Sequence, residues 1–117
     1  MGLSYISPFI NPLWASSHKP IEFLQSIQGK PNEGELIYRH FCVNCHAEKP
    51  WIPLGAPRLH HPEEWKPRLP KTSKGFNRLL QNTFEGVGAM PARGGCFECS
   101  DAQLKKAVLY LLNNVAS

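Results

Sequence analysis

Several things this chain lacks narrow its class. Its N-terminal stretch from Leu3 to Ala15 is mostly apolar but is broken by Pro8, Asn11 and Pro12, and it falls short of the roughly 20 apolar residues that a membrane-crossing helix needs. No lysine or arginine precedes that stretch. The basic head of an export signal is therefore missing, although Ala15, Ser16 and Ser17 supply small residues where cleavage would fall. Strand-period alternation is absent at any length, and so are internal repeats, which argues against sandwiches, barrels and solenoids. Charge of one sign does not dominate: 13 basic against 9 acidic residues leave a formal charge of +4. With no arginine-rich helix or nucleic-acid motif beside it, that charge suits an acidic protein surface rather than nucleic acid. Methionine is scarce, with two residues of which one is Met1.

Proline and cysteine are plentiful. Eleven prolines cut the 117 residues into short pieces, in a chain whose length makes one domain. Pro8, Pro12, Pro20 and Pro31 punctuate residues 1–31 as an N-terminal arm, within which Ile21 to Ile27 suits a short helix. The arm reads either as an irregular extension or as a degenerate export signal, and it is the part through which membrane association would occur. Residues 32–117 then form the folded domain. Its first helix is predicted to run from Asn32, paired with Glu35 in a capping box, to about His46. Leu36, Ile37, Phe41 and Cys45 fall near one face of it. Pro50, Pro53, Gly55, Pro57 and Pro62 force a loop over residues 47–62. A turn of helix follows at Glu63 to Arg68, and a second clear helix runs from Thr72 or Ser73 to Phe84, with Phe76, Leu79, Leu80 and Phe84 at helical spacing. Glycines from Gly86 to Gly95 mark a loop. Ser100 and Gln103 then open the last helix as a capping box, with Leu104, Ala107, Val108, Leu111, Leu112 and Val115 as its apolar stripe and Lys105, Lys106 and Asn113 opposite. The expected fold class is all-α, with three to five helices.

Cys42-Val43-Asn44-Cys45-His46 is the pattern by which c-type haem is attached. Two thiols add to the two porphyrin vinyl groups, and two intervening residues let both sulfurs reach one edge of the ring from a single helical turn. The histidine that follows lies beneath the iron and offers an imidazole nitrogen. A second axial ligand suits an iron that only transfers electrons. Met90 is the candidate, since it sits in the glycine-rich loop, where a chain can swing over the haem face, rather than in a core stripe. His60 and His61 are the rival ligands and would lower the potential; His18 and His40 are expected to face solvent.

The second cysteine pair, Cys96-Phe97-Glu98-Cys99, admits three readings: a small disulfide loop, half of a zinc site, or a redox-active dithiol. A zinc ribbon expects roughly 15 to 20 residues between its pairs, far fewer than separate Cys45 from Cys96. A thioredoxin-like role expects a βαβ context that is missing. Attachment of haem outside the cytoplasm implies an oxidising compartment, which favours the disulfide.

These residues resemble the class I cytochromes c, in particular the cytochrome c5 group of bacterial electron carriers, over residues 33–115. Gly34, Tyr38 and Cys42 stand four apart, as the glycine, aromatic and first cysteine do in that class. The resemblance implies that the first helix crosses the last at Gly34, with Tyr110 and Leu111 opposite. Gly55-Ala56-Pro57 is similar to the glycine-alanine-proline of the group and implies that the Pro57 carbonyl accepts a hydrogen bond from His46. Trp65, Pro67 and Arg68, and the run Ala89 to Asp101 with its Cys96–Cys99 disulfide, complete the match. Ala92 in place of a second proline, His60-His61 in place of glycine-aspartate, a longer stretch between His46 and Gly55, and the arm depart from it.

The function this implies is a single-haem, one-electron carrier rather than an enzyme, located in the periplasm, with iron held by His46 and Met90. Its partners would be redox proteins such as respiratory complexes, oxidases or reductases, steered by Arg58, Lys66, Arg68, Lys71, Lys74 and Arg78. A haem sensor or enzyme with an open iron, and a zinc module using both cysteine pairs, are the competing classes. Oligomeric state leaves no mark on the sequence.

Overall fold

Helices separated by proline- and glycine-rich turns make up the computed structural model, which describes residues 19–69 and 75–115. Helix α1 spans Pro20–Ile27 and begins with proline at its first turn, where the missing N–H costs nothing. Next come α2, Glu33–Ile37, a π-helical turn, Tyr38–Cys42, and α3, Val43–His46, which follow one another without a break. Helix α4 is Pro62–Trp65, α5 is Gly75–Glu85, and α6 is Asp101–Asn114, with a 3-10 turn at Ala92–Gly95 between the last two. The described residues contain no strand, only an isolated bridge between Val87 and Met90. The start expected for α5, at Thr72 or Ser73, lies outside the described residues.

The crossing of α2 with α6 organises the core. A Cβ at Gly34 would stand 2.3 Å from the Lys106 carbonyl oxygen and 3.2 Å from the Ala107 nitrogen, so only glycine lets the two backbones touch. One turn further along, the Tyr38 and Tyr110 rings meet with centroids 5.4 Å apart. Helix α6 starts as expected: the Gln103 N–H donates to Ser100 Oγ, and the Ser100 N–H donates to the Gln103 side chain, both at 3.0 Å. Such a cap contributes about 1 kcal/mol. Leu104, Ala107, Val108 and Leu111 are buried along it.

One expectation is corrected: Asn32 stands at the N-terminus of α2 but its side chain caps nothing. The neighbouring Glu33 carboxylate is engaged elsewhere: it accepts from the Gly29 N–H at 3.1 Å, from Gln103 Nε2 at 3.0 Å and from Lys106 Nζ at 2.8 Å. Burial would raise the pKa of Glu33, but these hydrogen bonds outweigh it and hold the carboxyl below its usual range. A second observation bears on the segment before residue 32. Leu24 and Ile27 of α1 are each 4% exposed and share a core with Ile37, Cys96, Leu104 and Ala107. Helix α1 is therefore packed against the same core rather than standing apart from it. Its Phe23 ring stacks on His40 at 4.0 Å, so His40, although exposed, is a packing partner.

Gly34→Ala tests the crossing. Alanine favours a helix by up to about 1 kcal/mol over glycine, but here its methyl would strike backbone, which cannot rotate away. A net loss of about 1–3 kcal/mol in denaturant unfolding is expected; an unchanged or raised midpoint would refute the close crossing.

Candidate functional site

Cys42 ends the π-helical turn and Cys45 and His46 lie on α3, so one stretch of helix carries all three motif residues. Both thiols are free. Burial, then the neighbouring Cys45, pushes the Cys42 thiol up to about 12, which keeps it neutral.

The imidazole of His46 is 7% exposed and fixed on three sides. Its Nδ1 lies 2.7 Å from the Pro57 carbonyl oxygen. A carbonyl only accepts, so Nδ1 carries the proton and Nε2 keeps a free lone pair. The ring stacks on Trp65 at 5.5 Å, and the His46 carbonyl accepts from the Leu59 N–H at 2.9 Å and from the buried Tyr38 hydroxyl at 3.4 Å. Burial, helped by the Arg68 charge, holds its pKa below the ordinary histidine value despite the Pro57 bond. A neutral, oriented imidazole with one free nitrogen is a metal ligand in waiting.

The Pro57 segment is itself anchored. Trp65 Nε1 donates to the Arg58 carbonyl at 2.8 Å, and the Arg58 N–H donates to the Glu64 carboxylate at 2.9 Å. The Arg58 guanidinium is tied to Glu64 and Glu48, so Arg58 is not one of the free cations expected there. Lys66, Arg68 and Arg78 are exposed, whereas Lys71 and Lys74 lie outside the described residues.

Beside His46 opens a cavity of about 490 Å³ with largely apolar walls, adjoined by a second of about 230 Å³. His46, Cys45, Thr83, Met90, Val108 and Leu111 line both, and Cys42 lines the second. Met90 is thus gathered to the same space as the motif. Its N–H and carbonyl pair with Val87 at 2.9 and 3.1 Å, and Gly86, at φ 85°, leaves room where a Cβ would stand 2.8 Å from the Met90 carbonyl oxygen. Cys96 and Cys99, both buried, are joined by a disulfide. His60 and His61 point elsewhere: His60 Nδ1 bonds the Asn114 carbonyl, and His61 bonds Glu48 and Glu63. The motif spacing singled out the two cysteines and His46, scarcity singled out Met90, and the resemblance singled out Pro57, Tyr38 and Arg93; the structure gathers His46, Met90 and Arg93 on one cavity and sets Pro57 and Tyr38 against His46. Thr83, which lines both cavities, had no signal in the sequence.

A helical shell around an apolar slot, with two free thiols, an oriented imidazole and a methionine in its walls, fits a covalently held haem. The comparisons agree. The family model described as "Cytochrome C oxidase, cbb3-type, subunit III" matches residues 29–111. Cytochrome c5 of Ectopseudomonas mendocina is 32% identical over 80 residues, covering 68% of this chain and 86% of its own. Cytochrome c-551 of Halorhodospira halophila is 34% identical over 87 residues, covering 71% of this chain and all of its own (100%). Among solved structures, a chain from the "Crystal structure of electron transfer complex of nitrite reductase with cytochrome c" is 38% identical with a TM-score of 0.60, over 73% of this chain and 95% of that one. The protein belongs to the class I c-type cytochromes, and its cofactor is covalently bound haem c.

The Glu64 carboxylate gives a pH prediction. Hydrogen bonds from the Arg58 side chain and backbone hold it at about 2, below its ordinary 4.5. A depressed folded-state pKa contributes stability above the ordinary value and loses it as pH falls toward the folded one. Thermal unfolding midpoints should therefore drop between about pH 4.5 and 2, and Glu64→Gln should make that drop shallower. An identical slope in the variant would show that the pair does not couple to folding.

Proposed function

We propose that this chain is a periplasmic one-electron carrier, in which Cys42 and Cys45 hold a single haem through thioether bonds and His46 and Met90 are its axial ligands. The observation that carries the reading is the shared cavity: an imidazole with a free Nε2 and a thioether line the same apolar slot. Bound haem supplies an iron that takes up and gives back single electrons, at a potential set by its ligands, burial and nearby hydrogen bonds.

The residues around it do the rest. Pro57 and Trp65 keep the imidazole from rotating, so it would hold the iron without having to reorient. The Val87 pairing does the same for the Met90 backbone. Apolar walls exclude water, which favours the less charged ferrous form. Two ligands leave no open position for substrate, so turnover is not part of the function.

Exposed Leu54 and Val87 line the cavity, and Arg68 lines it from the basic side. An apolar rim with cations beside it suits brief contact with an acidic redox partner. A reductase is one such class, as in the complex that contains the similar solved cytochrome. No helix among the described residues is long and apolar enough to cross a membrane, and the Cys96–Cys99 disulfide fits an oxidising compartment.

The test is the full chain made together with a haem-attachment system. Its mass should exceed that of the polypeptide by one haem, and the ferric form should show the weak methionine-to-iron charge-transfer band in the far red. Met90→Ala should abolish that band, lower the midpoint potential and admit carbon monoxide to the ferrous iron. Spectra of Met90→Ala indistinguishable from those of the unaltered protein would assign the sixth position to another residue.

A further inference from the structure

Arg93 is the one non-glycine with positive φ among the described residues, at φ 58° and ψ 20°, a region that side chains with a Cβ seldom occupy. The next two positions, Gly94 and Gly95, are also left-handed, at φ 59° and 85°. Glycine would ease the turn at position 93 as well, so the arginine side chain must contribute something that the turn itself does not require.

Its contacts say what. Nη2 donates to the Cys99 carbonyl at 2.6 Å and to the Asp101 carboxylate at 3.0 Å. The guanidinium carbon lies 5.7 Å from the centre of the Phe84 ring. These anchors sit in the last turn of α5, at the end of the disulfide loop and at the start of α6. The Asp101 side chain is 76% exposed while that of Arg93 is 25%, so the carbonyl and the ring are the firmer holds and the ion pair the weaker one. The fastened segment is the one that carries Met90. Arg93 lines the same cavity as Met90, and a Cβ on Gly94 would stand 3.7 Å from the Met90 methyl carbon.

We propose that Arg93 is the positioning residue for Met90: by tying its own loop to α5 and α6, it keeps the methionine from lifting off the iron. This rests on the reading of Met90 as an axial ligand. The sulfur–iron bond is a single neutral contact, so how long it lasts depends on how seldom the loop opens. A planar guanidinium can bond a carbonyl and a carboxylate while lying over a ring; a lysine ammonium at the same place reaches fewer of them.

The rate at which imidazole binds the ferric, haem-loaded chain reports loop opening, because Met90 must leave first. Arg93→Ala should speed binding about tenfold or more, the equivalent of one lost charge-assisted hydrogen bond, and Arg93→Lys by less. Arg93→Gly separates the clamp from the turn: it relaxes the backbone yet should still bind imidazole faster. Leu24→Ala, in α1, should lower the unfolding midpoint without changing the rate. Should Arg93→Ala fail to fold, Arg93→Lys carries the comparison.

Wild-type rates in Arg93→Ala and Arg93→Gly, with the charge-transfer band present throughout, would overturn this inference alone. An equal acceleration in Leu24→Ala would also overturn it, by reducing the effect to global stability. A wild-type protein that lacks the band and matches Met90→Ala would remove the ligation reading, and this one with it.

Discussion

The contact on which the rest depends is the one between the backbone at Gly34 and the carbonyl of Lys106. It sets α2 directly against α6, and the motif residues and the start of the Met90 loop hang from these two helices. From α2 the helix continues through the π-helical turn into α3, which delivers Cys42, Cys45 and His46. At the other end of the crossing, α6 begins beside the disulfide and the loop that carries Met90. A side chain at position 34 would push the two helices apart, and with them the walls of the cavity. A single hydrogen atom in place of a methyl group is therefore a constraint on the site even though Gly34 does not line it.

Polar groups hold this crossing from behind. Glu33 binds at once the turn after α1, through Gly29, and the first turns of α6, through the buried Gln103 and the half-exposed Lys106. A carboxylate this deeply buried would be costly alone; three donors, one from the turn after α1 and two from α6, make it a junction. The Gln103 that serves the cap of α6 also reaches Glu33, so the start of α6 and the start of α2 are stabilised together. The apolar side of the junction is closed by Leu24 and Ile27 of α1.

How much of this the sequence disclosed follows from how local each feature is. Cys42, Cys45 and His46 are legible because their chemistry requires them to be neighbours along one helical turn. The Ser100–Gln103 box is legible for the same reason, since both partners lie within four positions. Met90 was legible by scarcity. The box at Asn32 does not form because its expected partner, the Glu35 carboxylate, pairs with Arg39 one turn on, while Glu33 is held by Gln103 and Lys106, some seventy positions away, which no local pattern announces. The burial of α1 was hidden by the prolines around it, which mark a break in the chain but not where the next piece packs. Arg93 was marked by the resemblance of its run, but neither its left-handed backbone nor its hold on Phe84, Cys99 and Asp101 is written in the local sequence.

The two halves of the site have different mechanical origins. His46 is held by a helix and braced by Pro57, Trp65 and Tyr38. Met90 comes from a loop, where backbone pairing to Val87, a disulfide and one guanidinium must supply the stiffness that a helix would have given. The division follows from where each residue sits in the chain: His46 belongs to the continuous helix that also carries the cysteines, whereas a methionine outside that helix has to be held from a loop, and the clamps around it supply the rigidity.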